Sequence, residues 1–457
     1  MRYVSTRGRA RALGFGDALL AGLASDGGLY VPETWPALPD LTRCATYADA
    51  ATAVASCFVG DEIDDATLAR CATEAYATFR HPSVVPLVQL DHRQWLAELF
   101  HGPTFAFKDV ALQLVGRLFD HVLEQRSDHI TIIGATSGDT GSAAIDAVRG
   151  RNNIDIVMLF PGGRVTDVQR RQMTTVEDAN VHVVAVDGTF DDCQDLVKAM
   201  FLHPRLAAQR HLSAVNSINW GRVMAQVTYY ATTSLALGGE TVFAVPTGNF
   251  GNVFAGWVAR RMGAPIDRFV LSTNANDILA RFLNEGDMSM RKVVPTLSPS
   301  MDIQVSSNFE RLLFEMNDRD GGMTAEQLDR FRSSGRLDVE PDQRAEHLDG
   351  TFSATRVDDD ATLAEIHRLA HRTGVVVDPH TATATAAASL IDHDGPVVAL
   401  ATAHPAKFAD AVARALGQRP ELPEALAELH VKAERFEVVA NDLELVAAHV
   451  ERVTAAT

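Results

Sequence analysis

The chain has 457 residues, 46% apolar and 22% charged, with a formal net charge of −18 and a pI near 5.3. That length exceeds what one core supports and predicts two or three domains, while the acidity excludes a nucleic-acid or anionic-membrane surface. The apolar runs fall short of the roughly 18 residues of a membrane span, and Cys44, Cys57, Cys71 and Cys193 form no CxxC pair, which argues against a zinc site and for free thiols.

Residues 1–95 read as a mainly helical, Ala-rich N-terminal segment, short of strand signals. Arg2, Arg7, Arg9 and Arg11 precede a short apolar run at 18–24, bracketed by Asp17 and Asp26. No cleavage pattern follows, so the run is not read as a targeting peptide. Next comes Leu-Phe-His-Gly-Pro-Thr-Phe-Ala-Phe-Lys-Asp at 99–109. Only five of the 41 basic side chains are lysines, and Lys108 lies beside Phe105 and Phe107. An amine can lose its proton and form a Schiff base, whereas a guanidinium stays charged. Aromatic neighbours would desolvate the ammonium and lower its pKa. These residues alone also allow a lysine that merely snorkels at a helix start.

From residue 130 the pattern alternates between strand and helix. Short β-branched runs at 130–134, 154–160, 181–186, 241–246, 268–272, 375–377 and 396–401 predict strands buried on both faces. Helices are predicted over 190–201, behind a Thr189/Asp192 capping pair, and over 219–237 and 252–262. This alternation means crossover units and a mostly parallel sheet. Residues 300–370 are polar and acidic and read as a helical insertion.

Two loops point to anions. Gly134-Ala-Thr-Ser-Gly-Asp-Thr-Gly141 follows a strand and is expected to open a helix at Ser142, so that amides and hydroxyls gather at the positive end of a helix dipole. It lacks GxGxxG spacing and a Walker lysine, and a plain tight turn is the alternative. Pro246-Thr-Gly-Asn-Phe-Gly-Asn252 repeats the device with glycines at 248 and 251, a cradle suited to phosphate. Both loops follow strand C-terminal ends, where open α/β sheets bind ligands. Two cradles fit one ligand with two anionic parts, or two ligands.

The remaining polar clusters have plainer alternatives. Ser307 or Asn308 could simply cap a helix, and Asp378-Pro-His-Thr381 ends a strand and caps another. In Ala401-Thr-Ala-His-Pro-Ala-Lys-Phe408, Thr402 falls where a hydroxyl meets a ligand at the sheet edge. There His404 could be a cap and Lys407 a first-turn side chain. No paired carboxylates, Ser/His/Asp set or metal-ligand cluster stands out.

Together these stretches resemble the threonine synthase family, pyridoxal-phosphate enzymes that convert O-phospho-L-homoserine to threonine. The resemblance rests on residues 3–8 and 26–30, HGPTFAFKD (101–109), GATSGDTGSAA (134–144) and GRVTDVQRRQMTT (163–175). It continues through GTFDDCQ (188–194), LSAVNSINW (212–220), PTGNFGNVFAG (246–256), PSMDIQVSSNFERLLFE (299–315) and TAHPAKF (402–408), essentially the full length. One departure is Thr383-Ala384, where the family pattern has Val-Gly.

The resemblance implies an α/β fold of two open, twisted, mostly parallel sheets, similar to the tryptophan-synthase β-subunit group (fold type II). The expected division is 1–95, then a smaller α/β domain over 96–240, then a larger one over 241–457. Lys108 is implied as the Schiff-base lysine for pyridoxal 5'-phosphate. Gly248, Asn249, Phe250, Gly251 and Asn252 are implied to hold the cofactor phosphate, with Thr402 facing the pyridine nitrogen. Thr136, Ser137, Gly138, Asp139 and Thr140 would meet the substrate carboxylate. Arg164, Ser306, Ser307 and Asn308 are candidates for the substrate phosphate. No metal, nucleic-acid or membrane partner is implied, and a cytoplasmic monomer is expected. The rivals are a serine/threonine dehydratase or cysteine synthase, a silent phosphate-binding homologue and a nucleotide-binding protein.

Overall fold

The computed structural model describes residues 1–209 and 211–454. Its larger sheet has six strands in the order Phe352–Arg356, Ile266–Thr273, Thr241–Pro246, Val397–Ala401, Gln94–Glu98 and Leu87–Gln89. All neighbouring pairs are parallel except the last, which is antiparallel. The smaller sheet has five strands in the order Glu437–Ala440, Val181–Asp187, Ile154–Pro161, Ile130–Ala135 and Leu212–Ser213, every pair parallel.

The central strands read as unbroken apolar runs because helices cover both faces. On one face of the larger sheet Val242, Ala244, Val270, Val397 and Ala399 pack with Ile366, Leu369, Ala384 and Ala387. The side chains that alternate with them, among them Phe243, Val245, Phe269, Val398 and Leu400, join the main core with Tyr230 and Phe254. This is the period-2 alternation of a two-sided sheet.

The structure corrects several expectations. Residues 375–377 form no strand; they are a short link between the helices Asp359–Thr373 and Pro379–Ser389. Gly374 in a left-handed conformation and the Asp378 cap leave too little chain for a ladder, although Val377 is still buried in the core. An edge strand forms instead at Phe352–Arg356, inside the stretch read as a helical insertion. Phe352 is buried and Ser353 exposed, so as an edge strand with a wet side it reads as polar. The first helix beyond Ile130–Ala135 starts at Asp139, three residues before Ser142.

Sheet membership also crosses the expected divisions. Leu87–Gln89 and the first two residues of Gln94–Glu98 lie before 96, yet both strands belong to the larger sheet. The C-terminal strand Glu437–Ala440 extends the smaller sheet, and Val446, Ala447 and Val450 of the last helix pack on Val184, Val186 and Cys193. Such returns of the chain depend on tertiary pairing and leave no local signature.

Candidate active site

The expected site residues converge at the C-terminal ends of both sheets. Lys108 begins the helix Lys108–Arg126. The loop before it is fastened to the end of Val397–Ala401: the Phe107 N–H donates to the Thr402 carbonyl at 2.8 Å, and the His404 N–H donates to the Phe105 carbonyl at 3.1 Å. Phe105 takes a left-handed φ of 60°, and the Arg80 guanidinium lies 3.9 Å from its ring centroid. Asp109 turns back on the same loop and accepts from the Thr104 N–H and hydroxyl at 2.8 and 2.7 Å. Burial pushes its carboxyl up to about 7.

The Lys108 ammonium is buried, 3.7 Å from Asp139 Oδ2. Burial pulls its pKa down to about 8; Asp139 opposes that pull, and the charges of Lys407 and Arg222 add to it. Lys407 Nζ sits 2.8 Å from Asp139 Oδ1 and donates to the Thr104 carbonyl at 2.8 Å. Although burial disfavours its charge, Asp139 is held well below the usual carboxylate range by the two lysines and by the Gln169 amide, which donates to it at 2.9 Å.

The loop 136–140 is a tight turn closed by its own first hydroxyl. Thr136 Oγ1 accepts from the N–H groups of Gly138 and Gly141, both at 2.9 Å, so this hydroxyl builds the turn. Gly138 has φ 139°, and a Cβ there would stand 2.4 Å from the Gln169 amide carbon, so only glycine fits. Ser137 and Thr140 stay partly exposed. The carboxylate of Asp139 faces the lysines, leaving the backbone of the turn and the hydroxyls as the groups that could meet a substrate carboxylate.

The second turn follows Thr241–Pro246. Phe250 has φ 63° at the N-terminus of the helix Gly251–Met262, with its ring packed on Phe309 and Phe352. A left-handed phenylalanine costs about 1–3 kcal/mol and persists only where the surroundings impose it. Gly248 and Asn249 are partly exposed, and the chain at 299–308 supports them. A Cβ at Gly248 would lie 2.7 Å from the Ser300 carbonyl oxygen, Ser306 Oγ donates to the Gly248 carbonyl, and Asn308 Nδ2 donates to the Asn249 and Ser217 carbonyls at 3.1 Å each. The side-chain donors of Ser306 and Asn308 are thus engaged by backbone carbonyls. Ser307 and Arg164 are exposed.

The donor set of this turn fits a phosphate. Asn252 Oδ1 accepts from the hydroxyls of Tyr229 and Tyr230, which sets the amide orientation. Its Nδ2 is left as a buried donor with no partner among the described residues. An unpaired buried amide at a helix N-terminus is costly unless an anion takes it. Across the site the Thr402 N–H donates to Thr381 Oγ1 at 3.1 Å, and Thr381 and His380 are both held by Asp378. The departure at Thr383 is accommodated: its hydroxyl bonds Ser272 at 2.8 Å and the His380 carbonyl.

Sequence reasoning missed Arg222. It lies in the first turn of Trp220–Leu237, fully buried, with Nε and Nη1 unpaired among the described residues. The available signal was a lone arginine inside the apolar run Trp220–Ala225, two residues past the LSAVNSINW stretch.

Three family descriptions match the chain: "Threonine synthase N terminus" over 2–76, "Pyridoxal-phosphate dependent enzyme" over 82–332, and "Threonine synthase, C-terminal" over 381–450. The chain is 49% identical to the threonine synthase of Pseudomonas aeruginosa, covering 99% of this chain and 98% of that one. The chain belongs to the threonine synthase family. It superposes on the pyridoxal-phosphate-bound threonine synthase of Brucella melitensis with a TM-score of 0.97 at 49% identity, covering 100% of both chains. On the yeast threonine synthase the TM-score is 0.94 at 38% identity, covering 99% of this chain and 98% of that one. Like the rest of the threonine synthase family, it is a pyridoxal-phosphate-dependent enzyme acting on a small molecule. No described helix is long and apolar enough to cross a membrane.

Proposed function

We propose that this chain converts O-phospho-L-homoserine and water to L-threonine and phosphate, with Lys108 as the lysine that holds pyridoxal phosphate and moves the protons. The observation that carries this reading is the placement of one buried, weakly basic amine between two anion turns, with an unpaired buried guanidinium nearby. Bound pyridoxal phosphate supplies a conjugated ring that accepts the electron pair left when a proton is taken beside the amino group.

The chain does the rest. Gly248, Asn249, Phe250, Gly251 and Asn252 hold the cofactor phosphate through backbone N–H groups, the helix dipole and Asn252 Nδ2. Thr402 offers a neutral hydroxyl to the ring nitrogen, where a carboxylate would keep that nitrogen protonated. The turn at Thr136–Thr140 orients the substrate carboxylate. Lys108, displaced by the substrate amine, takes the Cα proton, and it then serves the protons exchanged at Cβ and Cγ as phosphate leaves Cγ and water adds at Cβ. Arg222 neutralises the phosphate that departs. A cytoplasmic monomer completes the reading, and sedimentation of the purified protein checks the oligomeric part.

The test scores phosphate and threonine together, from O-phospho-L-homoserine with purified protein and pyridoxal phosphate. Equal amounts of both are expected. Lys108→Ala should drop both to background, by more than about 1,000-fold, while circular dichroism stays unchanged. Substantial turnover in that variant would refute the assignment.

A further inference from the structure

Lys407 is a buried ammonium that the reaction above does not use. It sits in the turn Pro405–Phe408 beyond the strand Val397–Ala401, 1% exposed. Its two partners are the Thr104 carbonyl and Asp139 Oδ1, each at 2.8 Å. Asp139 opens the helix that follows the strand Ile130–Ala135 of the smaller sheet, so the pair spans both sheets. The other Asp139 oxygen faces Lys108 Nζ at 3.7 Å, beyond hydrogen-bond length. One carboxylate therefore serves two lysines, and the tight contact goes to the lysine that does no chemistry.

The charges facing Lys108 come from three other elements and its own helix. They are Asp139, Lys407, Arg222 on Trp220–Leu237, and Asp109, whose carboxyl is turned to Thr104. A lone buried aspartate beside Lys108 would form a desolvated ion pair and hold that amine protonated. A protonated amine cannot attack an aldehyde. The neutral amine can: the nitrogen lone pair forms a bond to the aldehyde carbon, a C=N bond results, and the oxygen leaves as water with the amine hydrogens.

We propose that Lys407 is a positioning residue: it takes Asp139 as its own permanent counter-ion, so that Lys108 can stand near the carboxylate without being tied to it. The site tolerates either protonation state of Lys108, because Asp139 remains paired when Lys108 becomes neutral. This inference rests on Lys108 being the cofactor lysine.

The experiment follows attachment of pyridoxal phosphate to the full-length protein, after the bound cofactor has been removed by dialysis against an amine. Rates are read by stopped-flow absorbance across pH 6–10, and the product is trapped with borohydride and located by peptide mass. In the natural protein the label should fall on Lys108. Lys407→Met should raise the apparent pKa of attachment by at least about one unit and slow it about tenfold or more at pH 7.5. Lys407→Met combined with Asp139→Asn should return the profile to within about threefold of the natural one, which loss of a merely structural contact would not do. Lys407→Arg, which keeps the charge, should retain the natural pKa and serves if the methionine variant does not fold. A label absent from Lys108 in the natural protein would overturn the site assignment itself. A label on Lys108 with an unchanged pH profile in Lys407→Met, or a shifted profile in Lys407→Arg, would overturn only the role of Lys407.

Discussion

At the scale of single residues, two buried arginines have opposite roles. Arg311 is satisfied: its guanidinium donates to the Tyr30 and Ile218 carbonyls and to Asn308 Oδ1, tying the N-terminal segment to both sides of the cleft. Arg222 keeps two nitrogens unpaired among the described residues, in the same kind of environment. A buried charge without partners costs stability and persists where a ligand uses it. Arg222→Met should therefore leave the melting temperature unchanged or raise it, yet lower kcat/KM for O-phospho-L-homoserine by about 100-fold or more. Arg311→Met should do the reverse and destabilise the fold by about 3–5 kcal/mol. Steady-state kinetics and thermal unfolding on both variants check the contrast. At Thr402 the prediction concerns products: Thr402→Asp should raise keto acid relative to threonine, and an unchanged ratio would count against a role at the ring nitrogen.

At the scale of elements, the site is set by how strands hand over to helices. Asp378 illustrates this. Its carboxylate caps Pro379–Ser389 through the His380 and Thr381 N–H groups and also bonds the His380 ring and the Thr381 hydroxyl. His380 Nε2 in turn accepts from the Ser300 N–H at 3.2 Å, next to Gly248, and Thr381 Oγ1 accepts from Thr402. One cap thus orients the end of a strand and the support of the phosphate turn. Asp378→Ala removes the cap and strands buried donors, at a combined cost of about 2–4 kcal/mol. Denaturant unfolding should show that loss, and equilibrium titration should show weaker pyridoxal phosphate binding. Full affinity in a destabilised variant would separate the cap from the site.

At the scale of the whole molecule, the C-terminal segment is structural. Glu434 pairs with Arg170 at 2.8 Å and accepts from Thr174, and the strand and helix beyond it close the apolar cluster of the smaller sheet. Removing residues 436–457 would uncover Val184, Val186 and Leu196 and delete Val446, Ala447 and Val450. At roughly 1.5–3 kcal/mol per buried aliphatic side chain, the loss is about 5 kcal/mol or more. The truncated chain should be largely insoluble, and a soluble, active product would show the segment to be dispensable. Net charge acts at this scale too. A molecule at −18 repels an anionic substrate at long range, so attraction falls to Lys108, Arg222 and the two helix N-termini.

What the sequence by itself determined is whatever local chemistry encodes. The apolar β-branched runs at 130–134, 154–160, 181–186 and 241–246 became strands because burial on both faces demands that composition, and the Thr189/Asp192 capping pair opened its helix as read. Lys108 and the glycine turns stood out in the sequence because few residue types supply a deprotonable amine or a backbone that approaches so closely. Only the tertiary structure decided which groups meet. Nothing near Lys407 announces Asp139, 268 positions away in number, and nothing near Arg222 shows that two of its nitrogens lack partners among the described residues. The same holds for Phe352–Arg356, an edge strand whose exposed side reads as polar, for the short and mostly exposed edge strand Glu437–Ala440, and for Ser306 and Asn308, whose hydroxyl and amide nitrogen bond backbone carbonyls. Local pattern records how a residue meets its own segment; desolvation, charge pairing and the satisfaction of buried donors are sums over neighbours that only the folded chain brings together.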